Sequence, residues 1–148
     1  MNRHFKLMGF YFCLLALFTL GRWGLSFTTL TYQQATHIFS LVPLALIASA
    51  HHAAFARAFR GYGLKDAIVL GALIGIVTQI AIFGSTVLSY ALGLSTLWNA
   101  PTALNQTEAV PLSAALVSRV IGLVVNTILN IIAALIGYAM GGAIRTRD

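Results

Sequence analysis

Long apolar stretches alternate with short polar or charged connections along the whole chain. A helix needs about 20 apolar residues to cross roughly 30 Å of hydrocarbon. The stretches are continuously apolar and do not alternate with polar residues, which indicates membrane helices and not barrel strands. Four of them are long enough, so we predict an all-α, four-span transmembrane helix bundle that forms a single domain over residues 1–148. The predicted spans cover residues 7–27, 36–55, 66–92 and 112–144.

Pro43 lies inside the second predicted span. A proline in a helix interior removes one backbone hydrogen bond and bends the helix. We therefore expect a kink near the middle of that span.

Composition supports a lipid environment for most of the surface. Hydrophobic residues make up 59% of the chain and charged residues only 8%, with a mean hydropathy of +0.88. Soluble domains carry about 25% charged residues. So few charges cannot cover a domain of this size, and the lipid bilayer is its predicted partner.

The basic residues predict the orientation of the chain. Seven of the nine lie on one side of the four-span arrangement, which by the positive-inside rule is the cytoplasm. We therefore predict a multi-pass protein of a bacterial inner membrane with both termini cytoplasmic. Because these residues lie at span ends, the net charge of +6 does not indicate a nucleic-acid partner. The seven are Arg3, Lys6, Arg57, Arg60, Lys65, Arg145 and Arg147.

Aromatic residues lie near the predicted span ends, as is typical of membrane interfaces. The longest connection, residues 93–111, is predicted to be external and contains a turn at Asn99-Ala100-Pro101. The aromatic residues expected at the outer interface are Trp23, Tyr32, Tyr90 and Trp98, and those at the inner interface are Tyr62 and Tyr138.

Small residues recur on one face of the fourth span and on one face of the third. Small residues let two helix backbones approach closely in a membrane. We therefore predict a helix-packing seam between spans three and four, and a tendency to associate with other membrane subunits or with a second copy. The seam residues are Gly71, Gly75, Gly122, Gly137 and Gly141.

Polar residues within the spans have two interpretations. They either hydrogen-bond across helix contacts or line a polar pathway or ligand site. Arg22 and Arg119 both lie near outer span ends, where they serve as interfacial residues or form an anion site together. Glu108 is a candidate ion-pair partner of Arg119. The full candidate ligand set is Asn126, Asn130, Gln79, Arg22 and Arg119.

Histidines bracket the second span. His37 and His51 are 14 positions apart, about 21 Å along a helix. Haem ligation at both faces would need further histidines, which only a homodimer could supply. The simpler interpretation is that His37, His51 and His52 are interfacial polar residues.

Catalytic chemistry has little support in the sequence. The acids Asp66, Glu108 and Asp148 lie at span ends, in a loop or at the terminus, so no carboxylate pair shares a span. We therefore predict a protein that is not an enzyme and carries no metal or cofactor. Our leading hypothesis is an accessory, scaffold or binding component of the membrane. The alternatives are a small-solute or anion transporter acting as a homo-oligomer, and a haem or quinone redox protein.

Overall fold

The computed structural model describes residues 2–145, so Arg147 and Asp148, which entered the predictions above, lie outside the described residues. The described part is helical and contains no strand. Its elements are α1 (Asn2–Leu7), α2 (Gly9–Leu25), α3 (Tyr32–Ile38), α4 (Leu41–Arg60), α5 (Leu64–Ala91), a 3-10 turn (Pro101–Leu104) and α6 (Leu112–Arg145).

Three helical stretches are long and apolar enough to cross a membrane. They are Tyr32–Arg60, which joins α3 and α4, Leu64–Ala91 and Leu112–Ile144. The fourth apolar helix, α2, has only 17 residues and is about 26 Å long. The all-helical prediction is confirmed, and the apolar character of the chain is consistent with a membrane protein.

The second predicted span begins differently from the expectation. The helix is interrupted at Phe39 and Ser40, and Pro43 lies in the first turn of α4. The backbone N–H groups in the first turn of a helix have no intrahelical acceptor, so a proline there removes no hydrogen bond. The predicted mid-span kink at Pro43 is therefore wrong, because the break precedes the proline.

Helix α6 packs along α5 through two glycines of α5. A Cβ added at Gly71 would lie 2.6 Å from the backbone oxygen of Asn130, and one at Gly75 would lie 2.9 Å from Thr127 Cα. Neither position has room for a larger residue unless the backbones move. These two contacts lie between spans three and four, where the sequence predicted close packing.

The two glycines near the end of α6 face α4 and not α5. A Cβ at Gly137 would lie 1.9 Å from the Ala50 carbonyl oxygen, and one at Gly141 would lie 2.4 Å from the Ala54 carbonyl oxygen. The expectation of one seam between spans three and four is corrected here. Helix α6 approaches α4 through its own glycines and α5 through the glycines of α5.

Helix α2 contacts the rest of the bundle less extensively than α6 does. The Tyr11 hydroxyl hydrogen-bonds with the Thr78 hydroxyl of α5. Near the other end of α2, Trp23 Nε1 donates to Ser85 Oγ at 3.2 Å. Two polar contacts thus fix the register of α2 against α5.

The connection between α5 and α6 folds back onto the helices. Trp98 is only 1% exposed, and Leu97 and Leu104 are also buried. The predicted turn forms around Asn99, whose side-chain oxygen accepts from the Thr96 backbone N–H at 2.8 Å. Trp98 is therefore part of the packed interior and not the lipid-facing interfacial residue that we expected.

Candidate functional site

A cavity of about 330 Å³ lies beneath the connection between α5 and α6. Helices α2 to α6 and the 3-10 turn all contribute to its wall. This volume is at the lower end of the range for small-molecule sites. The polar or charged lining residues are Arg22, Tyr32, Ser40, Gln79, Thr102, Asn105, Ser118, Arg119 and Asn126.

Arg119 enters the cavity from α6 and is held by three oxygens. Its Nε donates to Thr86 Oγ1 at 2.9 Å, its Nη1 to the Ala103 carbonyl at 3.1 Å and its Nη2 to the Trp98 carbonyl at 2.6 Å. Backbone carbonyls orient the guanidinium but carry no full negative charge. The positive charge of Arg119 is thus fixed in place without being neutralised.

Arg22 enters the same cavity from α2 and is 6% exposed. Its guanidinium carbon lies 4.7 Å from the Tyr32 ring centroid and 4.9 Å from the Trp98 ring centroid. The two rings supply cation–π attraction. Its Nε is buried and has no hydrogen-bond partner within the described residues. The protein therefore leaves this N–H donor unsatisfied.

The charge of the cavity is positive. No carboxylate is among its lining residues in the described range 2–145. The ion pair found within residues 2–145 is Arg3–Asp66, and His4 Nε2 lies 3.6 Å from the same carboxylate; neither contact involves Arg22 or Arg119. Arg119 instead uses the carbonyls described above, so the proposed Glu108–Arg119 pair does not form.

Two of the amides predicted as ligand residues extend the cavity along α5 and α6. Gln79 is 3% exposed, and Asn126 donates from Nδ2 to the Gly122 carbonyl at 2.9 Å. A Cβ at Gly122 would be 3.7 Å from Gln79 Oε1, which is ordinary contact. Gly122 therefore lines the cavity and makes no close backbone approach, although it was predicted as a seam residue.

Asn130 lies outside the cavity. It is 1% exposed, accepts from Ser49 Oγ at 2.7 Å and donates from Nδ2 to the Asn126 carbonyl at 2.8 Å. Its amide thus joins α4 to α6 as a packing contact. Of the five candidate ligand residues, the structure brings together Arg22, Arg119, Gln79 and Asn126.

Tyr32 and Trp98 are the two aromatic residues of the cavity wall, and the sequence pattern did not assign them to a site. Both had been placed at the lipid interface because of their aromatic rings. One signal for Trp98 was available, since Leu97-Trp98 is an apolar pair between the polar residues Thr96 and Asn99. No similar sequence signal was available for Tyr32. Its place in the cavity wall depends on where α3 begins relative to α2.

The histidines do not approach this cavity. His37 is exposed on α3, while His51 and His52 lie on α4 with their ring centroids 5.6 Å apart. The Nδ1–H of His52 donates to the Ala48 carbonyl at 2.8 Å. Within residues 2–145 no group of three or more His, Cys, Asp or Glu side chains is placed to hold a metal ion.

Comparison of the chain with protein-family models, with curated proteins and with solved structures finds no match.

Proposed function

We propose that this protein is a four-span membrane protein, with both ends in the cytoplasm, that binds a small oxyanion in the Arg22–Arg119 cavity without catalysing a reaction on it. The distribution of basic residues and the apolar character of α2 support the fourth span and the orientation. In this orientation the cavity opens from the external side.

The buried side chain of Arg22 is the observation that carries the proposal. A buried charge without an opposite charge is costly, and the penalty amounts to several kcal/mol per ion. Aromatic faces offset part of it, but the Nε donor stays unsatisfied. A bound oxyanion would accept from Arg22 and lie near the fixed charge of Arg119. Guanidinium groups suit planar carboxylates and phosphates because they can donate two parallel hydrogen bonds.

Binding is favoured over transport through a single chain by the packing below the cavity. Gly75 closely approaches Thr127, and the Asn130 amide is occupied by Ser49 and by the backbone of Asn126. Because of these contacts, the polar residues of α6 do not form a continuous path for a solute below the cavity. Transport in a homo-oligomer remains the second candidate. It predicts anion flux into liposomes that Asn126→Leu abolishes.

Titration of the purified protein with inorganic phosphate tests binding, with acetate as a second oxyanion. Trp98 lies against Arg22, so binding should change tryptophan fluorescence and raise the thermal midpoint. At a phosphate concentration 100 times the Kd, the expected stabilisation is about 2.7 kcal/mol. Arg22→Gln should remove both responses. It should keep its fold, because the glutamine still fits between the two rings and leaves no buried charge.

Lys65→Gln is the matched control, since it removes one exposed positive charge at the other end of α5. It should bind phosphate and acetate as the wild type does. If neither anion stabilises the wild type, or if Arg22→Gln responds as strongly as Lys65→Gln, the cavity is not an anion site. The accessory or scaffold role would then be the better hypothesis.

The topology has its own test. A reporter fused after Tyr62 should be cytoplasmic, and one fused at Ala100 should be external. A cytoplasmic signal at Ala100 would contradict the four-span arrangement and the external position of the cavity.

A further inference from the structure

A second positively charged site lies at the opposite end of the bundle, between α1 and the end of α4. An open cavity of about 480 Å³ is lined there by Arg3, Lys6, Leu7, Arg60 and Tyr62. All three basic side chains come from segments outside the cores of the predicted spans. In the proposed four-span topology they lie at the depth of the lipid headgroups.

One of the three positive charges is used within the protein. Arg3 forms an ion pair with Asp66 and lies over the Tyr62 ring at 4.6 Å from its centroid. Lys6 is exposed, and Arg60 is exposed with its guanidinium carbon 5.9 Å from the Phe55 ring centroid. Within residues 2–145 no carboxylate pairs with Lys6 or Arg60, so their charges remain available to an anion.

An apolar groove of about 370 Å³ begins at the same place. It runs between α2 and α4, and Leu7 lines both the groove and the basic cavity. Apolar side chains form most of its walls. The apolar residues beyond Leu7 that matter here are Phe10, Leu14, Leu44 and Ile47.

Two of the three polar side chains in the wall of this groove, Tyr11 and His52, are occupied by the protein itself, and the third, His51, is exposed. The Tyr11 hydroxyl bonds with Thr78, and the Nδ1–H of His52 donates to the Ala48 carbonyl. The groove therefore offers mainly apolar contact, which suits a hydrocarbon chain better than a polar ligand.

We propose that the basic cavity and the groove together bind one anionic phospholipid, with its phosphate at Lys6 and Arg60 and one acyl chain along α2 and α4. Two features on one continuous surface match the two ends of such a lipid. Basic residues near a membrane surface favour anionic lipid by about fivefold per charge. In the proposed topology this lipid belongs to the cytoplasmic leaflet. The site is independent of the Arg22–Arg119 cavity.

The test compares two phospholipids with the same acyl chains, one with a phosphoglycerol and one with a phosphocholine headgroup. Each is added to the full-length protein in mild detergent, and bound lipid is counted by native mass spectrometry. We expect the phosphoglycerol lipid to bind the wild type at least tenfold more tightly. The double variant Lys6→Gln/Arg60→Gln should lose about 30-fold in affinity for it. Lys65 lies outside the cavity, so Lys65→Gln should change the affinity for the phosphoglycerol lipid little.

The groove is tested separately with Ile47→Trp, which fills it from a lipid-facing position. Ile47 is 70% exposed, so the larger side chain should not disturb the core. Ile136→Trp on α6 is the control, since Ile136 is 57% exposed and lies outside the groove. We expect Ile47→Trp to weaken binding of the phosphoglycerol lipid and Ile136→Trp to leave it unchanged.

Four results would overturn the proposal. The first is equal affinity for the two headgroups, and the second is unchanged affinity in the double variant. The third is equally tight binding of glycerol phosphate without acyl chains, which would show a site for a free anion and not for lipid. Equal effects of Ile47→Trp and Ile136→Trp would exclude the groove as the acyl-chain site.

Discussion

Gly137→Ala tests the close approach of α4 and α6, the tightest glycine contact in the described structure. The added Cβ would lie 1.9 Å from the Ala50 carbonyl oxygen, 2.6 Å from its carbonyl carbon and 2.7 Å from its Cα. Ordinary contact begins at 3.4 Å. All three neighbours are backbone atoms, so no side-chain rotation can relieve the clash. The helices must separate locally by about 1.5 Å, and a gap of that size forfeits much of the dispersion energy across the seam.

The magnitude follows from two opposed effects. Overpacking a well-packed interior costs about 1–3 kcal/mol. Alanine is favoured over glycine inside a helix by about 0.5–1 kcal/mol. Gly84→Ala is the matched control, because Gly84 also lies inside a helix and a Cβ there would have no neighbour within 4 Å. The helix-propensity gain is common to both variants, so the difference between them isolates the clash at about 1–3 kcal/mol.

Thermal unfolding in mild detergent, followed by tryptophan fluorescence, measures this difference. A chain of this size shifts by roughly 2–4 °C per kcal/mol. We expect Gly137→Ala to melt several degrees below Gly84→Ala, which should melt at or above the wild type. Equal midpoints for the two alanine variants would refute the close backbone approach at Gly137. Lipid cannot compensate for the lost contacts, because its tails are as apolar as the side chains that they would replace.

Three further results are expected, two from the packing and one from the charged end of the bundle. Asn130→Leu should lower the free energy of unfolding by only about 0.6 kcal/mol, because Ser49 can turn its hydroxyl to a carbonyl of its own helix. Val69→Ile should leave stability unchanged, because Val69 is 44% exposed. Thermal midpoints of the two variants check both expectations. Burial lowers the pKa of His4 below its ordinary 6.5, although Asp66 opposes the shift. The folded state therefore binds a proton less readily than the unfolded chain, so stability is full above pH 6.5 and falls as the pH drops below it, a loss that His4→Gln should reduce.

The polar residues show where inference from sequence stopped. The sequence alone identified Arg22 and Arg119 as candidates, because a charged side chain near a membrane span has a free-energy cost that does not depend on knowing its partner. Asn126 and Asn130 are one turn apart on α6 and looked equivalent. Only the packed bundle separates them, because Ser49 of α4 faces one amide and the cavity faces the other.

The partner of each glycine was likewise beyond the sequence pattern. The spacing of Gly137 and Gly141 shows that one face of α6 is lined by small residues. The spacing does not show which other helix packs against that face. The three-dimensional arrangement assigns that face to α4 and leaves α5 to be approached through its own Gly71 and Gly75.

What the sequence determined by itself is the helical class and the apolar stretches, because in lipid each backbone must satisfy its hydrogen bonds within its own helix. That constraint is local and can be recognised from hydropathy alone. Tertiary structure alone decided that Trp98 folds inward and that Arg22 and Arg119 share one cavity. These features join residues far apart in the chain, and their energies depend on how helices and connection pack together, which no local pattern encodes.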